Sequence, residues 1–129
     1  MEKDMRVLLV FIATIFMAVG ANAQNITPTG EWMDEYGTAL SISACGDDNT
    51  QLCVVLLDVQ GESRTSENLA YVNQQIMQAD LVAENQWQGT VVFEGAEAEG
   101  TLTQVDANTV EIRGCRALLF CETLVFQRV

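Results

Sequence analysis

Thr101-Leu102-Thr103-Gln104-Val105-Asp106-Ala107-Asn108-Thr109-Val110-Glu111-Ile112-Arg113 decides the fold class. Two short runs rich in β-branched residues flank a turn of Asp, Ala and Asn. The alternation within each run puts Leu102 on one face of its strand and Ile112 on the same face of the next. Thr101–Val105 and Thr109–Arg113 are therefore expected as a hairpin with Asp106–Asn108 as its tight turn. The same pattern extends in both directions. Upstream, Trp87, Gly89, Val91 and Phe93 share one face and Gln88, Thr90 and Glu94 the other. Downstream, Gly114-Cys115-Arg116 is expected to bend the chain, and Phe120–Arg128 reads as a last strand with Leu124 and Phe126 on its apolar face.

Nearer the start, Leu40, Ile42 and Ala44 alternate with Ser41 and Ser43 before the turn cluster Gly46–Thr50. Leu52–Leu57 is apolar on both faces, the mark of a central or doubly covered strand. Gln60–Ser63 ends it. Gly95–Gly100 reads as a turn carrying Glu97 and Glu99. Residues 64–85 admit two readings. Leu69, Val72, Ile76 and Met77 have helical spacing with Ser66 as a cap. Alternatively an ordered loop leads into a strand near Ile76–Val82. Seven or eight short antiparallel strands, with at most one short helix, indicate an all-β sandwich or barrel.

The first 23 residues fall outside this pattern. Lys3 and Arg6 precede a thirteen-residue run, Val7–Val19, that is apolar except for Thr14. Ala21-Asn22-Ala23 follows, so the segment reads as a secretory signal peptide cleaved before Gln24. Thirteen helical residues reach about 20 Å, short of the roughly 30 Å hydrocarbon core. No stable membrane anchor is expected after cleavage. Residues 24–129 then form one domain.

The 129-residue chain has 6 Lys+Arg, 18 Asp+Glu and no His, for a net charge of −12. The leader removes Glu2 and Asp4 with Lys3 and Arg6, so the balance is unchanged. The absence of His excludes Ser–His–Asp and Cys–His catalysis and His-ligated zinc. The acidity argues against nucleic acid as partner. No cofactor or metal is expected.

Cys45, Cys53, Cys115 and Cys121 stand behind the leader. Neither spacing is the C-x2-C of a zinc ribbon or thioredoxin-like site. Each pair brackets a hairpin turn, which favours the links Cys45–Cys53 and Cys115–Cys121. Cys45 is in phase with Ser41 and Ser43, and Cys115 with Glu111 and Arg113. Both are expected on the outward face, where a link spares the core.

Arg128 has the opposite phase and lines up with Leu124 and Phe126. An inward charge needs a partner. Either it stacks on the indole of Trp32 in Gly30-Glu31-Trp32, or it snorkels out at the strand end. Gly30-x-Trp32 with a terminal inward Arg resembles the lipocalin-like (calycin) barrels, in which the Trp packs across the closed end under a late Arg.

The order of several blocks also resembles a family of bacterial exported proteins, domain of unknown function 2147. The blocks are Gly30-Glu31-Trp32, Ile42–Cys45, Leu52-Cys53, Trp87-Gln88-Gly89, Val110–Cys115, Phe120–Thr123 and Phe126-Gln127-Arg128. The chain departs from the family at Val54, at Glu94–Glu99 and at Phe126, and the Asn-Pro of the family's middle segment survives only as Asn68. The resemblance implies an exported up-and-down barrel, periplasmic or secreted, and no reaction.

Two kinds of binding follow as expectations. Val91, Phe93, Leu102, Ile112, Leu124 and Phe126 suit either a filled core or a pocket for a small apolar or amphipathic ligand. The alternative is an acidic interaction or inhibitor protein for a cationic exported hydrolase, such as a lysozyme or protease, steered by Asp47-Asp48 and Glu97/Glu99. An enzyme is not expected. Asp34/Glu35 and Asp47/Asp48 read as solvated loop acids, and Glu122 as a mouth residue in an ion pair with Arg113 or Arg116.

Overall fold

The computed structural model describes residues 26–117 and 120–129, without the side chain of Phe93. The leader and its cleavage point lie outside the described residues. Eight antiparallel strands follow one another around a closed up-and-down barrel. They are β1 (Gly30–Met33), β2 (Ala39–Cys45), β3 (Gln51–Asp58), β4 (Gln75–Ala83), β5 (Gln86–Phe93), β6 (Ala96–Asp106), β7 (Thr109–Arg116) and β8 (Phe120–Arg128). Between β3 and β4 lie a 3-10 turn, Gly61–Ser63, and a single helical turn, α1 (Ser66–Leu69).

The alternation that identified the strands also fills the interior. Leu40 and Ile42 of β2, Leu52, Val54 and Leu56 of β3, Met77 of β4, Val91 of β5, Leu102 of β6, Val110 and Ile112 of β7 and Phe126 of β8 are buried together around Trp32. β3 has a neighbour on each edge, and its second apolar face, Val55 and Leu57, is half-buried.

Four sequence expectations are corrected. Gly95–Gly100 is not a turn. Glu94 and Gly95, both at positive φ (49° and 76°), make a two-residue hairpin turn. β6 begins at Ala96, and Glu97 and Glu99 lie on the outer wall opposite buried Ala98 and Gly100. The interior there has no room for bulk: a Cβ on Gly100 would come within 3.0 Å of both Met77 Cε and Val91 Cγ1. Gly114-Cys115-Arg116 does not bend the chain but completes β7. The α1 cap is Thr65, whose Oγ1 accepts the Asn68 N–H at 3.2 Å, not Ser66. Asp34 is not a bare loop acid: its Oδ1 accepts the N–H groups of Tyr36 and Thr38, each at 2.9 Å, and so shapes the β1–β2 loop.

Gly89 is a close-approach glycine. A Cβ there would run into the carbonyl oxygen of Gln78 and lie 2.8 Å from Ala79 Cα across the β4–β5 ladder. Gly89→Ala should destabilise the barrel by about 1–3 kcal/mol, measured by urea unfolding.

Candidate functional site

The two ends of the barrel differ. At one end the segment Thr27-Pro28-Thr29 folds across the opening. Trp32 Nε1 donates to the Pro28 carbonyl at 2.8 Å, and the indole is fully buried. Trp32 and Arg128 are register partners across the β1–β8 seam, and the guanidinium lies over the ring at 4.3 Å from its centroid. Its nitrogens donate to the carbonyls of Ala107, Thr29 and Thr27 at 2.8–2.9 Å. Gly30 stands under this contact: a Cβ there would sit 2.8 Å from Arg128 Nη1. Of the two sequence readings of Arg128, the structure shows stacking.

Gln104 completes the plug and was not singled out in the sequence, although it shares the inward phase of Leu102. It is buried, and its Nε2 donates to the Thr27 carbonyl at 3.1 Å.

Both cysteine pairs are disulfides in the expected pairing. Cys115 and Cys121 face each other directly in the β7–β8 ladder. Cys45 and Cys53 link diagonally, since Cys45 pairs with Gln51 and Cys53 with Ser43. Two such bonds suit an oxidising compartment.

The opposite end is a mouth. It holds a cavity of about 80 Å³. Leu40, Leu56, Met77, Val91, Ile112, Leu124 and Phe126 form its walls, and Thr38, Ser63, Asn68, Tyr71 and Glu122 lie around its rim. Of the interior residues expected from sequence, Val91, Ile112, Leu124 and Phe126 line the cavity, whereas Leu102 packs in the solid core. The side chain of Phe93 lies outside the described residues.

Most rim polar groups are engaged within the chain. Thr38 Oγ1 donates to the Gln60 carbonyl and accepts the Gln60 N–H. Asn68 ties α1 to its surroundings, with Nδ2 donating to the Ser63 carbonyl and Oδ1 accepting the Glu94 N–H. Glu122 is exposed at the mouth in the inward phase. The Arg116 guanidinium meets Glu94 at 3.9 Å. Arg113 has the outward phase of β7, so it does not face Glu122. Asp47 and Asp48 occupy the β2–β3 turn at the plugged end, far from the rim. Among the described residues, no three His, Cys, Asp or Glu side chains cluster as for a metal.

The loop after β3 is tied to the carboxylate of Asp58. Asp58 accepts from Gln60 Nε2 at 3.0 Å and from the Val59 N–H at 2.9 Å. The Gln60 bond first, then the Val59 bond, holds its carboxyl below the usual aspartate range. A depressed folded-state value stabilises above the ordinary aspartate pKa of about 4 and is lost as pH falls through the lower folded value. Acidification below about pH 4 should therefore loosen the rim loop at Val59 and Gln60 before the barrel unfolds. Asp58→Asn should flatten that dependence, read by amide exchange at Val59.

No protein-family model matches the chain, and comparisons with curated proteins and with solved structures return no match.

Proposed function

We propose that this chain is an exported barrel, periplasmic or secreted, that binds a small apolar or amphipathic molecule at its mouth rather than catalysing a reaction. We also propose that it is a divergent member of the exported family it resembles. The observation that carries the binding reading is the apolar cavity of about 80 Å³ that Glu122 helps to line. The rest of the interior is filled with side chains, so a large enclosed ligand does not fit. The space is roughly half that of the ~150 Å³ engineered cavity that takes benzene. It suits an alkyl group of about three or four carbons, with a cationic or hydrogen-bond-donating head left at Glu122.

Titration with n-alkylamines of increasing length tests this. The methyl NMR signals of Leu40, Met77, Ile112 and Leu124 are expected to move. Affinity should rise by about threefold to fourfold per added methylene, as ~0.8 kcal/mol of burial implies, and level off once the cavity is filled. Methyl signals that stay fixed with every amine would sink the reading.

A further inference from the structure

The β1–β8 seam that closes the barrel is short. β1 stops at Met33, where the Asp34 side chain turns the chain, while β8 runs from Phe120 to Arg128. The two strands pair only at Trp32 with Arg128 and Met33 with Gln127. Among the described residues, the stretch of β8 from Phe120 to Phe126 has β7 on one side and no strand on the other.

The direction of its backbone groups follows from the ladder. In an antiparallel pair, alternate residues bond to opposite neighbours. The Arg128 N–H bonds to Asn108 next to β7, and the Val129 N–H bonds to Glu31 of β1. Even-numbered residues of β8 thus serve β7. The N–H and C=O groups of Cys121, Thr123 and Val125 point the other way, and Thr123 and Val125 line a groove of about 1,020 Å³ between β8 and the β1–β2 loop. Such an edge is a template for an added strand.

The groove is rimmed by carboxylates: Asp34, Glu35, Glu62, Glu94 and Glu122 line it, Glu94 meeting Arg116 at 3.9 Å, and the one base among its described lining residues, Arg128, is held at the lower end on Trp32 and three carbonyls. Its apolar fringe is Met33, Tyr36 and Val125, which are 41%, 60% and 45% exposed.

We propose that the free edge of β8 is a strand-addition site for an extended basic peptide segment. The guest runs antiparallel to β8 over Cys121–Val125, a span of about 17 Å at ~3.4 Å per residue. Main-chain bonds to Thr123 and Val125 hold it, as in other β-augmentation complexes. Cross-strand partners share a face. The guest residue opposite Glu122 therefore points inward beside that carboxylate, where Lys or Arg fits. The residue opposite Leu124 points at the cavity, where a small aliphatic side chain fits. The edge stands independently of the cavity reading; only the choice of side chain opposite Leu124 rests on it.

The test uses the full chain expressed with its leader and purified after export, with the peptide acetyl-Thr-Val-Thr-Lys-Thr-amide as probe. Binding should shift the amide signals of Thr123 and Val125 and slow their hydrogen exchange by at least about tenfold at saturation. Replacing the peptide's Lys by Glu should weaken binding by about tenfold or more. Methylating the guest's bonding nitrogens should abolish it. Val125→Pro removes a groove-facing N–H without breaking a bond to β7, a placement an edge strand tolerates, and should also abolish binding. If that variant does not fold, the methylated peptide gives the same answer.

Replacing the peptide's Val by Ser tests the cavity separately: a loss there with retained Thr123 and Val125 shifts upholds the edge. Unmoved Thr123 and Val125 amides, equal affinity for the Glu peptide, or a peptide-free dimer in which these amides are already protected would overturn the proposal.

Discussion

Trp32→Ala should destabilise the protein by about 3–5 kcal/mol, the cost of emptying a buried aromatic site. The ring is fully buried at the plugged end, bonds Pro28 through its nitrogen and carries the Arg128 guanidinium on its face. Losing it therefore also unseats the segment Thr27–Thr29. The contact itself is separable by a double-mutant cycle with Trp32→Phe and Arg128→Met, read by denaturant unfolding. Arg128 is half-buried, so coupling should lie between about 0.5 and 2 kcal/mol. Additive effects would mean that the stacking holds nothing together and that the seam depends on backbone pairing alone.

The second large effect is expected at the disulfides. Cys45–Cys53 closes a separation of 8 residues and Cys115–Cys121 one of 6. Loops of this size restrict the unfolded chain by about 2–3 kcal/mol each on a chain-entropy account. Removing both by Cys→Ser should lower stability by roughly 5 kcal/mol, comparable to the whole stability of many small domains. The two losses should add, because the links sit at opposite ends of the barrel. Circular dichroism of the single and double variants at 37 °C checks this. A double variant as stable as the parent would show that the strands close without staples.

Much of the barrel is legible in the sequence because alternation is a local signal. Leu102 and Ile112 announce their faces within five residues, and the outward phase of the cysteines follows from Ser43 and Arg113 in the same way. The start of β6 reads as a turn in the sequence for a physical reason. Its inward residues there are Ala98 and Gly100, kept small because Met77 and Val91 already occupy the space. Small inward residues beside outward glutamates look like a turn. Tyr71 and Asn68 at the rim belong to a connection with no period to read; their place is set by Thr65 capping and by the Asn68 bonds to Ser63 and Glu94.

The candidate site was legible only in part. Glu122 and Leu124 declare their phase, but the gap beside them depends on where β1 ends relative to β8. That register joins residues nearly the whole domain apart. The nearest local sign is Asp34, followed by Gly37: a carboxylate placed to collect the N–H groups of Tyr36 and Thr38 ends β1 after four residues.

Residue-resolved amide hydrogen exchange along β8 tests most directly the claim that the barrel is sealed at one end and open along one edge at the other. Glu122, Leu124 and Phe126, bonded to β7, and Gln127 and Val129, bonded to β1, should exchange slowly. Thr123 and Val125 should exchange orders of magnitude faster, near the rate of exposed amides. Equal protection at Thr123, Leu124 and Val125 in the monomer would contradict the open edge, and fast exchange at Gln127 and Val129 would contradict the seal.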